Sequence, residues 1–123
     1  MSKIGQIVLE ITGVLIALGG LYDLFTPKLP PHLAAICGEH DRSCALVREM
    51  LGALGGCLIA IGFTVTILAS GLTAQNASEI LALILILVLP SEGFNALGMH
   101  RVGAPYYIPL LLIALTLYGV LLT

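Results

Sequence analysis

The sequence predicts an all-α membrane protein, with residues 1–123 forming one domain, an antiparallel bundle of four transmembrane helices. Three observations carry that expectation. First, 59% of the residues are hydrophobic and only 10% are charged, with a mean hydropathy of +1.08, whereas a soluble domain carries about a quarter charged residues. Second, the apolar residues fall into four runs, each close to the roughly 20 residues that cross a hydrocarbon core about 30 Å thick. Third, the links between the runs are short, and none is long enough for a soluble domain. Five Lys and Arg in a chain of net charge −2 also exclude a nucleic-acid partner, since no basic stripe is available to meet phosphates.

The first helix is expected over about residues 3–25, ending at Thr26-Pro27 because a proline pushes its predecessor out of helical geometry. A lysine followed by apolar residues is also how a secretory signal begins. This run is too long for a signal core, contains Glu10 and lacks a small-x-small cleavage site before Tyr22 and Asp23, so it is read as a retained helix. The link that follows, "PKLPPHLAAICGEHDRSC", carries a group of prolines and the charges Lys28, Glu39, Asp41 and Arg42.

The second helix is expected over about 44–69, followed by the turn "SGLTAQN". The third begins at Asn76, with Glu79 three residues on as its capping-box partner. From Ala77 to Leu89 the chain offers about 20 Å of helix at about 1.5 Å per residue, too little to cross. The helix must therefore continue, kinked, through Pro90 to about Leu97. That places Ser91, Glu92 and Asn95 in its last third, inside the margin of the bilayer. Residues 98–104 form a loop, and the fourth helix runs over about 105–122 with Pro105 in its first turn.

Four helices with short links put both termini on one side. Lys28, Arg42, Arg48 and Arg101 flank the opposite side, against Lys3 alone on the terminal side. The positive-inside rule then assigns the 26–47 and 98–104 loops to the cytoplasm and both termini to the outside.

Several polar residues are candidates for function. Glu10 shares a face of the first helix with Gln6, Gly13, Ala17 and Gly20, all spaced by three or four. In the second helix "GALGG" (Gly52, Gly55 and Gly56), with Ala60 a turn further on, forms a matching small-residue stripe, and such stripes let transmembrane helices approach closely. Carboxylates are expensive in hydrocarbon and turn inward, so Glu10 is expected inside the bundle, either as a packed structural group or as a site for a proton, ion or polar head. Glu92 and Asn95 are the other ligand candidates, with Tyr106 or Tyr107 beside them. Alternatively, Arg48, Glu49, Glu92 and Arg101 form a charge staple, with Arg48 paired to Glu92 and Glu49 to Arg101.

Cys37, His40 and Cys44 give a C-x2-H-x3-C spacing. This matches no strong zinc signature and lacks a fourth ligand, so no metal is expected. In a reducing cytoplasm these thiols stay free, whereas on an oxidising side Cys37 and Cys44 form a disulfide. Cys57 reads as a packing residue. The sequence holds no Gly-rich phosphate loop, Ser-His-Asp set or H-E-x-x-H motif, and no cofactor is expected. Chemistry on a lipid would need an acid and a base facing one cavity, and Glu10 and Glu92 are expected near opposite faces. The reading is therefore non-enzymatic.

Four features stand in a fixed order: "FTPKL" after the first helix, Arg48 with Gly52 in the second, "SE" late in the third, and "VGAPYYIPLLLIALTLYG" around the fourth. That order resembles the four-span scaffold family of sterol biosynthesis, the ergosterol-pathway tethering proteins, and also looks like bacterial four-helix families of the DoxX type. Matched by position, Arg48, Ser91, Glu92, Pro109 and Gly119 take the family's places, while "REMLG" stands where that family has an Arg-Thr-Phe-Gly run. The resemblance implies a non-catalytic scaffold or accessory subunit that holds membrane proteins together, with lipids and either a second copy or another membrane protein as partners. The rival expectation is a small carrier or polar-ligand-binding protein using intramembrane carboxylates, as a dimer or alone.

Overall fold

The computed structural model describes residues 3–25, 34–35, 38, 41–101 and 103–123. Four helices account for almost all of them: α1 (Lys3–Phe25), α2 (Asp41–Ser70), α3 (Ala77–Arg101) and α4 (Tyr107–Leu122). The chain is an all-α four-helix bundle. α1, α2 and α3 are each long and apolar enough to cross a membrane, and large apolar side chains such as Ile4, Ile7, Phe63, Ile67, Ile86 and Leu121 cover the outside. An outer surface this apolar suits lipid rather than water, so the chain is a membrane protein. α4 has 16 residues, or about 24 Å of helix.

α1 packs most extensively against α2 and less so against α4; α4 also packs on α3, and the α2–α3 contact is the slightest. The helices thus form a ring in the order α2, α1, α4, α3, and the diagonal pairs α1–α3 and α2–α4 make no close backbone approach among the described residues. Consecutive neighbours run antiparallel, and the start of α1 meets the end of α4 at Gly5 and Gly119–Thr123.

Small residues set the α1–α2 contact. A methyl carbon placed on Gly62 would lie 2.5 Å from both the Ala17 amide nitrogen and the Gly13 carbonyl oxygen, and one on Gly55 would lie 2.6 Å from the Gly20 carbonyl oxygen. Backbone therefore touches backbone along the seam. Gly13, Ala17 and Gly20 are the α1 residues the sequence points to; on α2 the seam uses Gly55, which the sequence also points to, and Gly62, which it does not. Gly56 has nothing within 4 Å of such a carbon, Gly52 meets only the tip of Leu24 at 3.9 Å, and Ala60 is exposed. Gly55 and Gly62 are seven residues apart and share a face, whereas Gly56 sits about 100° round the helix and faces outward. Gln6 Nε2 closes one end of the seam by donating to the Ala69 carbonyl at 2.9 Å.

α3 runs unbroken through Pro90, and Ser91 Oγ donates back to the Leu87 carbonyl at 2.6 Å. The helix starts at Ala77, as expected, with the Ile80 amide donating to the Asn76 carbonyl at 3.0 Å. The Thr73 amide donates to Asn76 Oδ1 at 2.7 Å and the Asn76 amide donates to Thr73 Oγ1 at 3.3 Å, a reciprocal pair that closes the turn before the helix, in place of the expected box between Asn76 and Glu79. Asn76 Nδ2 also donates to the Gly71 carbonyl at 3.0 Å, so this one side chain ties the whole turn. Asn76→Ala, which removes two of these side-chain bonds, is expected to cost about 1 kcal/mol, read as a lower thermal midpoint in detergent; an unchanged midpoint would contradict this role for the turn.

α3 also ends later than Leu97. Its stop is Gly103, at φ 76, where the Gly103 amide donates to His100 O at 3.3 Å and the Ala104 amide to Met99 O at 2.8 Å. That pair of bonds is the Schellman motif, which needs a left-handed residue. Gly98, lacking that conformation, stays inside the helix. α4 starts at Tyr107, two residues after Pro105.

The core is asymmetric along the bundle. Leu9 and Ile16 of α1, Leu58, Val65 and Ala69 of α2, Leu72 in the turn, and Ile84 and Val88 of α3 fill the end near the termini. Thr12 and Thr116, buried there, donate to the carbonyls of Val8 and Leu112 four residues back, so the polar atoms in this half are satisfied within their own helices.

Candidate functional site

The opposite half of the bundle is hollow. A cavity of about 720 Å³ lies where the C-terminal halves of α1 and α3 meet the N-terminal halves of α2 and α4. Its floor is the upper edge of the core, since Ile16, Leu58 and Leu112 belong to both. The walls are mostly apolar, with Leu51 and Leu54 from α2 and Ile108 and Pro109 from α4. Tyr22 and Phe94, both largely exposed, stand at its rim. The thinnest wall is the one between α2 and α3, whose contact is the slightest in the ring.

The polar groups come from α1 and α3. Glu92 lines the cavity yet is only 1% exposed. Asn95, one turn on, also lines the cavity, near enough for its side chain to act on the Glu92 carboxyl. Asp23, half-buried on the α1 side, is close enough for its charge to act on Glu92. No Lys, Arg or His is among the described residues that line the cavity. Two carboxyl groups and an amide therefore face a space otherwise walled by hydrocarbon. Such a set can hold or pass on a proton, or hold a positively charged group.

Glu92 and Asn95 are the pair the sequence singles out, and the fold brings them together. Glu10 is elsewhere. It sits partly exposed beside the α1–α2 seam, in an outer groove with Ile11, Val14, Leu15 and Thr66. Its own carbonyl accepts a 3.5 Å bond from Thr66 Oγ1, but its carboxylate does not enter the cavity. The backbones meet so closely at Gly13 and Gly62 that the Glu10 side chain, three residues before Gly13, lies at the edge of the seam.

The charge staple is not formed between the described residues. No ion pair joins Arg48 to Glu92 or Glu49 to Arg101; Glu92 turns inward to Asn95, Arg48 makes other interactions, and Glu49 and Arg101 are exposed. Tyr106 meets the His100 ring edge-on at 4.8 Å instead of lining the cavity, and Tyr107 is exposed. Cys37, His32 and His40 lie outside the described residues, and with them the Cys37–Cys44 pairing; Cys44 is disulfide-bonded and Cys57 is a free, exposed thiol.

Sequence reasoning missed Asp23 and Tyr22. The signal was present: Asp23 follows Ile16 by seven residues, two helical turns along one face, so an inward Ile16 brings Asp23 inward with it. No family model, curated protein or solved structure matches this chain.

Proposed function

We propose that this chain is a small multi-pass membrane protein, without catalytic activity, that binds an amphipathic ligand in the cavity at one end of its bundle, as a binding protein or carrier. The observation that carries this reading is the buried carboxyl of Glu92 set in an otherwise apolar cavity. Natural ligand pockets run to about 300–1,000 Å³ and combine apolar walls with a few convergent polar groups; a cavity of about 720 Å³ with Glu92, Asn95 and Asp23 on its wall fits that description. An intramembrane ionisable group is also a functional candidate in its own right.

Filling the cavity tests the reading. Gly19 and Gly98 both line it, and a carbon added at either would meet nothing within 4 Å. The double variant Gly19→Leu/Gly98→Leu is expected to fold normally and to lose saturable binding of the neutral fluorescent probe N-phenyl-1-naphthylamine. Equal saturable binding by both proteins, or none by the wild type, would count against the cavity as a binding site.

A second reading, the scaffold or accessory subunit implied by the resemblance, is favoured by Glu10. A carboxylate in an outward groove of a membrane helix gains from a second copy or another membrane helix covering it. Glu10→Leu is then expected to shift native-mass-spectrometry peaks from oligomer to monomer, and an unchanged distribution would remove the support.

In this proposal α4 makes a fourth crossing, helped by its high apolarity and by Pro105 and Tyr106 ahead of it. The arginine distribution supports loops 26–47 and 98–104 in the cytoplasm and both termini outside. The disulfide at Cys44 argues for the reverse, since disulfides persist on oxidising sides. Protease access to a C-terminal tag in intact cells separates the two orientations.

A further inference from the structure

The charge balance of the cavity narrows the ligand class. Every helix contributes to the wall, yet among the described residues its charged groups have one sign only. α1 offers Asp23, α3 offers Glu92 with Asn95 beside it, and α2 and α4 offer only apolar residues among those that line the space. A carboxylate enclosed in apolar surroundings is costly unless it takes up a proton or an opposite charge meets it, and the described wall supplies no opposite charge.

Size excludes the simplest counter-ion. A bare metal ion needs a compact shell of several oxygen ligands, and no group of three or more acidic, His or Cys side chains that could hold one occurs among the described residues. A space of about 720 Å³ walled by leucine, isoleucine and proline is instead suited to hydrocarbon around a charged centre. The aromatic rings of Tyr22 and Phe94 stand at the rim, and ring faces attract organic cations. An anionic head would meet two carboxyl groups and no cation among the described residues, and a neutral head would leave the carboxyls to be neutralised by protons alone.

Building on the binding reading above, we infer that the ligand is a hydrophobic organic cation, an amine or quaternary ammonium compound, whose charged centre sits against Glu92 and Asp23 while its apolar part fills the space down to Ile16 and Leu58. Asn95, one turn on in the same wall, is the positioning residue, its side chain near enough to act on the Glu92 carboxyl.

The test uses the full chain in a neutral maltoside detergent, with N-phenyl-1-naphthylamine as the reporter and two ions of matched shape as competitors, tetraphenylphosphonium and tetraphenylborate. The cation is expected to displace the reporter at concentrations at least tenfold lower than the anion. Glu92→Gln, checked by elution volume and helicity, is expected to weaken displacement by the cation at least tenfold, and Asp23→Asn to weaken it by a smaller factor. Equal potency of the two ions, or full cation potency in both variants, would overturn the cation assignment while leaving the cavity as a binding site. Absence of any reporter binding would instead sink the binding reading on which the assignment rests.

Discussion

Gly62→Leu is expected to abolish the folded bundle. On α2, Gly62 lies against the backbone of α1, and even a methyl carbon there would sit 2.5 Å from the Ala17 nitrogen and the Gly13 oxygen. Neither is the free end of a side chain that can swing aside, so the helices must separate. Separation sacrifices the largest interface in the molecule, with Gly13, Ala17 and Gly20 on its α1 side. Gly62→Ala should show the graded form of this effect, about 1–3 kcal/mol, as for overpacked cores. Gly56→Ala is the control: its added carbon meets nothing, and alanine gains up to about 1 kcal/mol over glycine in a helix interior, so it should be neutral or stabilising. Thermal unfolding followed by circular dichroism in detergent reads all three. Indistinguishable melting of Gly62→Ala and Gly56→Ala would mean that the seam is not where the structure has it.

Glu92→Met is expected to move stability and binding in opposite directions. Burying a carboxyl among hydrocarbon costs free energy that a thioether of similar length does not, and replacing buried charged groups by apolar ones is often stabilising by about 1–4 kcal/mol. Asn95 loses the neighbouring carboxyl but remains partly exposed, which limits the cost to its amide. The ligand-free variant should therefore melt at or above the wild-type temperature while displacement by tetraphenylphosphonium is lost. A residue kept for packing alone shows the contrary pattern. If Glu92→Met lowers the melting temperature and leaves cation binding intact, Glu92 is a structural group.

The fold was legible because the hydrophobic effect writes it over long stretches. Four apolar runs broken by prolines, charges and a polar turn leave little freedom in the number and order of helices. The continuation of α3 past Pro90 followed from length alone, since stopping at Leu89 leaves a helix too short to cross. Boundaries were less legible because one residue type serves two purposes. Gly98 and Gly103 look alike in sequence, but only Gly103 adopts the left-handed conformation that ends α3.

The α2 seam was ambiguous for a related reason. "GALGG" contains adjacent glycines, so two stripes about 100° apart are equally rich in small residues, and only packing against α1 selects Gly55 over Gly56. Of the site, Glu92 and Asn95 were legible as polar groups following an aliphatic run inside a necessary span. Asp23 was hidden by its position near the end of α1, where a charge reads as a boundary. Glu10 was legible as an intramembrane carboxylate but not in its direction, because the close approach of backbones at Gly13 leaves no room for it inside.

A structure of the full chain determined in lipid nanodiscs with tetraphenylphosphonium is the most direct test of whether the hollow end of the bundle is a binding site. The expected result is added density between α1 and α3, its centre beside Glu92 and Asp23. Side chains of α1 and α3 packed together across that space, with Glu92 turned out to water, would contradict it.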